Sequence, residues 1–444
     1  MNSTVREPIS DVGAWLNTLP ESSRHALVAF GELLIGTADR PVRSEDADAF
    51  TARGLGVDGV AGMLDENREL NSVQKVTAAL ALAELIELHG AELGPGEYRN
   101  PPGFTQTSVG NETYRHPLHL RAIFPAGTLH ADVPVVISLD GRTGALNDPE
   151  ITAYVRREDQ AQAREVLDEI MARAEKLNPY RGRPVRASLS HGLAFTVIDL
   201  PATLTRDTVI VDDIVWREVD LGIAAVRDHH ALLNAHGLGC RRGVLLAGPP
   251  GTGKSAVSAV VAGEALAAGF TVIYVEAKAG ERLLTSVVEA ACLLGGPVLI
   301  VLEDIDLIVR DRRHGDGGGL SELLAAMDVA SDARILTLAS TNDVQTLDAA
   351  AMRTGRFDSI VEVGYPDTAA AARILAALVD GIGGQVDTAA VASALPEKTS
   401  GSDLREIVRR AVLSTNGVVS TAALLNEVGS GRYRAEPPPQ GQYL

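Results

Sequence analysis

Apolar residues early in the chain recur at the spacing of a helix. Leu27, Phe30, Leu33 and Leu34 fall on one face, as do Val76, Leu80, Leu82, Leu85 and Ile86, so the pattern predicts a helical N-terminal region over 1–95. A Gly- and Pro-rich stretch at 94–104 interrupts it and reads as a linker. The period then drops to two. Apolar and polar side chains alternate over 119–125, 131–141, 183–190 and 192–201, with a polar amphipathic stretch at 157–177 between the two pairs. These elements predict a small α/β middle domain over 104–204.

From about 205 the texture changes. Short, continuously apolar runs at 243–248, 270–277, 297–304, 334–340 and 359–364 alternate with helical stretches. Strands apolar throughout are buried on both faces, which implies a parallel sheet with flanking helices over 205–365. After Pro366 the pattern is helical, a C-terminal helical unit over 366–430, and 431–444 reads as a disordered tail. The fold class is therefore α/β.

Composition narrows the function. A length of 444 residues suits several domains. Only Cys240 and Cys292 are present, too few for a disulfide framework and in keeping with a reducing, cytoplasmic setting. Both read as small residues in or near a core. With 40 basic against 58 acidic residues, a net charge of −18, nucleic acid is a poor partner. No signal-like run opens the chain, and the longest uncharged apolar run, 290–302, is too short to span a bilayer.

The run Gly248-Pro249-Pro250-Gly251-Thr252-Gly253-Lys254-Ser255 follows an apolar strand and opens a helix. It fits G-x-x-x-x-G-K-[ST] in the setting a phosphate loop needs. Glycines let backbone N–H groups close around phosphate oxygens, and the helix N-terminus, with Ala256 in its first turn, adds a favourable dipole. Lys254 is placed to reach β- and γ-phosphates, and the Ser255 hydroxyl to ligate Mg²⁺. A second apolar strand, 298–302, ends in Glu303-Asp304, suited to hold the Mg²⁺ shell and polarise an attacking water.

At this point residues 205–430 resemble the AAA+ ATPases. The Glu303-Asp304 order, inverted from the usual Asp-Glu, and the run 237–255 are similar to the subgroup that contains the mitochondrial Rieske-protein translocase. The resemblance implies an AAA+ P-loop domain with a helical lid, ATP and Mg²⁺ as cofactors, Glu303 on the metal side and Asp304 as water activator. It makes Asn342 the residue between γ-phosphate and water. The run 347–358 resembles the family's arginine-finger motif, which makes Arg353 and Arg356 the fingers that act on a neighbour's site. Such fingers are worth about 10³–10⁵ in rate. Gly401 and Ser402, in 399–404, resemble the lid segment beside the adenine, with Ile214 a candidate for its other face.

The resemblance therefore implies a homo-oligomeric ring, a hexamer or heptamer, that remodels or translocates a protein substrate, with residues 1–204 selecting it. The segment where related rings carry a gripping aromatic reads Ala277-Lys278-Ala279-Gly280-Glu281, without one, which disfavours hand-over-hand threading. The alternative reading is an ATP-gated assembly scaffold or sensor with slow hydrolysis.

Overall fold

A computed structural model describes residues 18–20, 23–24, 27, 45–97, 100–129, 131–142, 149–189, 192–201, 203–275, 283–305, 332–343 and 356–434. The readings placed on Phe30, Leu33 and Leu34, on 277–281, on Arg353 and on the tail past 434 lie outside these residues.

Two sheets organise the described chain. The first holds β1 (Met63–Glu69), β2 (Glu92–Gly94), β3 (Gly103–Val109), β4 (Glu112–Phe124), β5 (Val135–Asp140) and β6 (Glu150–Arg156), all antiparallel. Its order is β1-β6-β5-β4-β2, with β3 pairing along the start of β4. Helix α1 (Ala47–Leu55) sets Phe50 and Leu55 against Ile123 and Val136 on one face. Helices α2 (Ser72–His89) and α3 (Gln160–Lys176) cover the other, where Leu82, Leu85, Leu167 and Ile170 meet Leu120, Phe124 and Ile137. A reciprocal cap between Asn71 and Gln74 starts α2, and Gly90, at φ 61°, ends it.

The helix predicted around 76–86 is thus present, but the stretch 1–95 is not a separate helical region. Residues 63–69 form β1 and 92–94 pair with β4, both inside the expected helical region, and β3 begins at Gly103, before the expected linker of 94–104 ends. As an edge strand, β1 carries charged residues on both faces, so it has no apolar alternation to read.

The second sheet holds β7 (Pro184–Leu189), β8 (Leu193–Val197), β9 (Arg242–Ala247), β10 (Thr271–Val275), β11 (Val298–Leu302), β12 (Ile335–Thr341) and β13 (Ser359–Glu362). The order is β13-β9-β12-β11-β10-β7-β8, parallel apart from β8. Both faces are covered, as continuous apolar strands require. Val244 and Leu246 of β9 pack with α4 (Asp213–Arg227) and α6 (Lys254–Ala267). Leu245, between them, points to the side of α7 (Leu283–Leu293). A short helix, α5 (His230–Ala235), precedes β9. Cys240 is buried and Cys292 is exposed, so only the first is a core cysteine.

The strands at 183–201 therefore belong to the second sheet and not to the 104–204 unit. Val185, Ala187, Leu193 and Phe195 share a core with Leu284 and Val287 of α7. Alternation marks a strand as half-buried but does not say which sheet buries it. The segment 177–183, between α3 and β7, is pinned on both sides. The Gly182 N–H donates to Thr271 Oγ1 (2.9 Å), and Arg183 Nη1 donates to the Val109 carbonyl (3.0 Å) while its guanidinium pairs with Glu112.

Beyond β13 lie α8 (Thr368–Val379), α9 (Thr388–Ser393), α10 (Gly401–Ser414) and α11 (Thr421–Ser430). They enclose their own core around Leu375, Val391, Leu404, Ile407 and Leu424. This is the expected helical lid.

Candidate nucleotide site

Strand β9 delivers the chain to 248–253, and α6 begins at Lys254. Gly251 (φ 78°) and Gly253 (φ 108°) adopt the left-handed backbone that a loop closing around an anion needs. Gly248 is constrained by space instead: a Cβ there would lie 2.1 Å from the Val363 carbonyl oxygen. Lys254 is buried, and its ammonium donates to the Gly248 and Pro249 carbonyls at 2.8 Å each. The Thr252 hydroxyl donates to Pro249 O (3.0 Å), which ties the loop further.

Across the loop, β11 and β12 run in register, Leu302 opposite Ala339. Past that pair, Glu303 hydrogen-bonds Ser255. Burial pushes its carboxyl above the usual value, helped by the charge of Asp304 and opposed by the Ser255 bond. Next in the chain, Asp304 has φ 51°. Its N–H donates to Ser340 Oγ (3.1 Å), and Asn342 Nδ2 donates to its Oδ1 (3.0 Å). Nearby, burial and the charge of Glu303 push the Tyr274 phenol up to about 12.

These groups open on a cavity of about 520 Å³, a size suited to a small-molecule ligand. Pro250, Gly251, Thr252, Gly253, Lys254, Ser255, Ala256, Asp304 and Asn342 line one end; residues from 203–211 and the lid line the other. The lid reaches the loop directly, since the Ser402 N–H donates to Gly251 O (3.0 Å). Ser400 caps α10 at this point. The structure thus brings Lys254, Ser255, Asp304, Asn342, Gly401 and Ser402 to one cavity, with Glu303 behind Ser255 and the Gly248 and Pro249 carbonyls at the loop's base.

Ile214 is not among the residues lining this cavity. Asp212 caps α4 by accepting from the Ile214 N–H, and Ile214 lines an adjoining cleft of about 800 Å³, which shares Ile210, Val211, Thr252 and Ile374 with the cavity and also holds Asp212, Asp213, Glu218, Glu362, Asp367 and Arg373. The smaller cavity is the nucleotide candidate despite its size, because Pro250–Ala256 of the phosphate loop line it, whereas five carboxylates and one arginine line the larger cleft. Ile210 and Val211 line it where Ile214 was expected. Arg356, just before β13, is not among its lining residues. Sequence reasoning missed Arg405, a lid residue on the cavity wall, and Ser340. For Arg405 the available signal was its place one helical turn after Gly401.

Fold and site together define a P-loop nucleotide-binding domain with a helical lid. Residues 244–365 match the model of the ATPase family associated with various cellular activities (AAA). The ATP-dependent zinc metalloprotease FtsH of Rhodococcus erythropolis is 36% identical over 248 residues, which take in 52% of this chain and 28% of that protein. FtsH of Mycobacterium tuberculosis is 34% identical over 248 residues, with 52% and 32% covered. The chloroplastic FTSH 6 of Oryza sativa subsp. japonica is 34% identical over 189 residues, with 39% and 27% covered. The chain spans about a third or less of the length of these relatives. It carries an AAA ATPase domain, the family its motifs resemble; the match supports that family and not the narrower Rieske-translocase subgroup. Among the described residues, no helix is long and apolar enough to cross a membrane.

Proposed function

We propose that the chain is a Mg²⁺-dependent ATPase that works as a homo-oligomeric ring, a hexamer or heptamer, in the cytoplasm, and remodels or translocates a protein substrate. The observation that carries the reading is that Asn342 donates to the Asp304 carboxylate on the wall of the cavity that the phosphate loop lines, with Ser255 on the same wall and Glu303 behind it. A hydroxyl and a carboxylate are hard oxygen donors of the kind Mg²⁺ accepts, and Ser255 with Glu303 would hold it. Bound there, Mg²⁺ would neutralise charge on the phosphate oxygens.

The protein's own part is positioning. Loop N–H groups cradle the phosphates, and Lys254 exchanges its two carbonyl partners for phosphate oxygens. Asp304 takes the proton side of the attacking water, held in place by Asn342. Gly401 and Ser402 close the lid over the base. Arg356, with Arg353, serves a neighbour's site, in keeping with the absence of Arg356 from this chain's own cavity wall. The N-terminal part, residues 1–204 with the antiparallel sheet ahead of β7, selects the substrate. The relatives' name also says zinc metalloprotease, but the 444 residues contain no H-E-x-x-H run, so only the ATP-dependent half of that name is carried over. The Glu303-Asp304 order keeps the Rieske-translocase subgroup as the finer family reading.

One observation favours the alternative, an ATP-gated scaffold with slow hydrolysis: the water activator is the shorter Asp304, already bonded to Asn342. Turnover per subunit against protein concentration separates the two, with Lys254→Ala as blank. A rate that rises steeply and saturates, and that Arg356→Ala lowers at least 100-fold without loss of ATP binding, is the expected result. Tight ATP binding with negligible turnover at every concentration selects the scaffold.

A further inference from the structure

We propose that Ser340 is a positioning residue for Asp304, fixing the backbone turn that aims its carboxylate into the nucleotide cavity. The inference rests on the reading of Asp304 as water activator and adds a residue to that site.

The ladder between β11 and β12 ends at Leu302 and Ala339. Two residues later Asp304 adopts φ 51°, a left-handed conformation uncommon outside Gly and, among residues with a side chain, most accessible to Asn and Asp. Such a conformation persists where its surroundings fix it, and it turns the Asp304 N–H off the ladder. Ser340 supplies the partner: its hydroxyl oxygen accepts that N–H at 3.1 Å. The hydroxyl belongs to a side chain only 1% exposed in the middle of a sheet, a costly place for a polar group without a specific bond. Thr341, the next buried hydroxyl, serves a local turn with Asp343 instead.

Ser340 and Asn342 are two apart near the end of β12, so both reach toward the end of β11. Ser340 holds the Asp304 main chain and Asn342 holds its carboxylate. Two bonds, one from β12 and one from the residue just past its end, thus fix the main chain and the side chain of one residue. Ser340 is not among the described residues that line this cavity, and its bond to the Asp304 N–H links it to the site. Asp304 is one atom group shorter than Glu, and a short side chain has little freedom to correct a misplaced backbone.

The test compares wild type, Ser340→Ala, Asp304→Asn and the double variant, using full-length protein. Turnover, affinity for a fluorescent ATP analogue with Mg²⁺, and melting temperature are measured for each. Ser340→Ala is expected to lower kcat at least tenfold and leave nucleotide affinity within twofold, with Ser340→Thr, which keeps the acceptor oxygen, restoring most of the rate. Added to Asp304→Asn, Ser340→Ala is expected to lower the residual single-turnover rate no further. Turnover of Ser340→Ala within twofold of wild type overturns the proposal. So does a parallel loss of affinity and melting temperature, or an equal loss in the Asp304→Asn background, since these mark a structural role. If Asp304→Asn alone keeps full turnover, the water-activator reading fails first and takes this inference with it.

Discussion

At the residue scale, the phosphate loop was legible because its chemistry is local: eight consecutive residues state both a turn and its ligand. The reasons differ among its glycines. Gly251 and Gly253 are needed for positive φ, but Gly248 is needed because the Val363 carbonyl occupies the space a Cβ would take. Backbone cannot swing aside as a side chain can. Gly248→Ala is therefore expected to cost about 1–3 kcal/mol by overpacking and to weaken ATP binding at least tenfold, read from thermal melting and analogue titration together. Other site residues were not legible for a matching reason. The bond from Asp304 to Ser340 spans 36 positions, and which of Ile210, Val211 and Ile214 faces the cavity depends on where Asp212 starts the helix. Long-range pairing and helix phase are properties of the folded chain.

At the element scale, strong apolar periodicity gave α2, α3 and the parallel strands, and the charged edge strand β1 escaped it. The β3–β4 hairpin carries a buried titratable group. His116 Nδ1–H donates to the Pro117 carbonyl (2.9 Å), so in the neutral ring Nε2 accepts from the Thr107 hydroxyl (2.9 Å). Burial holds its pKa below the ordinary histidine value, and Lys75 pushes the same way against the Pro117 bond. The sign follows. Near pH 7 the imidazole is neutral folded or unfolded, and as pH falls below about 6.5 the unfolded chain takes up the proton first. Stability from this group is then lost, at up to about 1.4 kcal/mol per pH unit, until the folded pKa is reached. Denaturant titrations between pH 7.5 and 5 are expected to give a shallower acid loss in His116→Gln than in wild type. Equal slopes would mean that His116 titrates normally.

At the scale of the whole molecule, the sequence pattern divided the chain near 205, whereas the nucleotide sheet begins at β7. A fragment of residues 178–434 is expected to be soluble and to bind ATP. One of residues 205–434 exposes the edge of β10 and removes Val185, Ala187, Leu193 and Phe195 from the core shared with α7. It is expected to aggregate or to melt at least 10 °C lower, as size-exclusion chromatography and calorimetry will report. Similar behaviour of the two fragments would show β7 and β8 to be accessory.

The short connection at 177–183 has a mechanical meaning. Machines that pass motion through a floppy tether lose stroke to slack. Here the tether is replaced by a joint clamped to β10 on one side and to the β3–β4 hairpin on the other. The two sheets are therefore tied together by hydrogen bonds and an ion pair in addition to the covalent connection. If the proposed ATPase cycle tilts the nucleotide sheet, the motion reaches the N-terminal sheet through these bonds as well as through the chain itself.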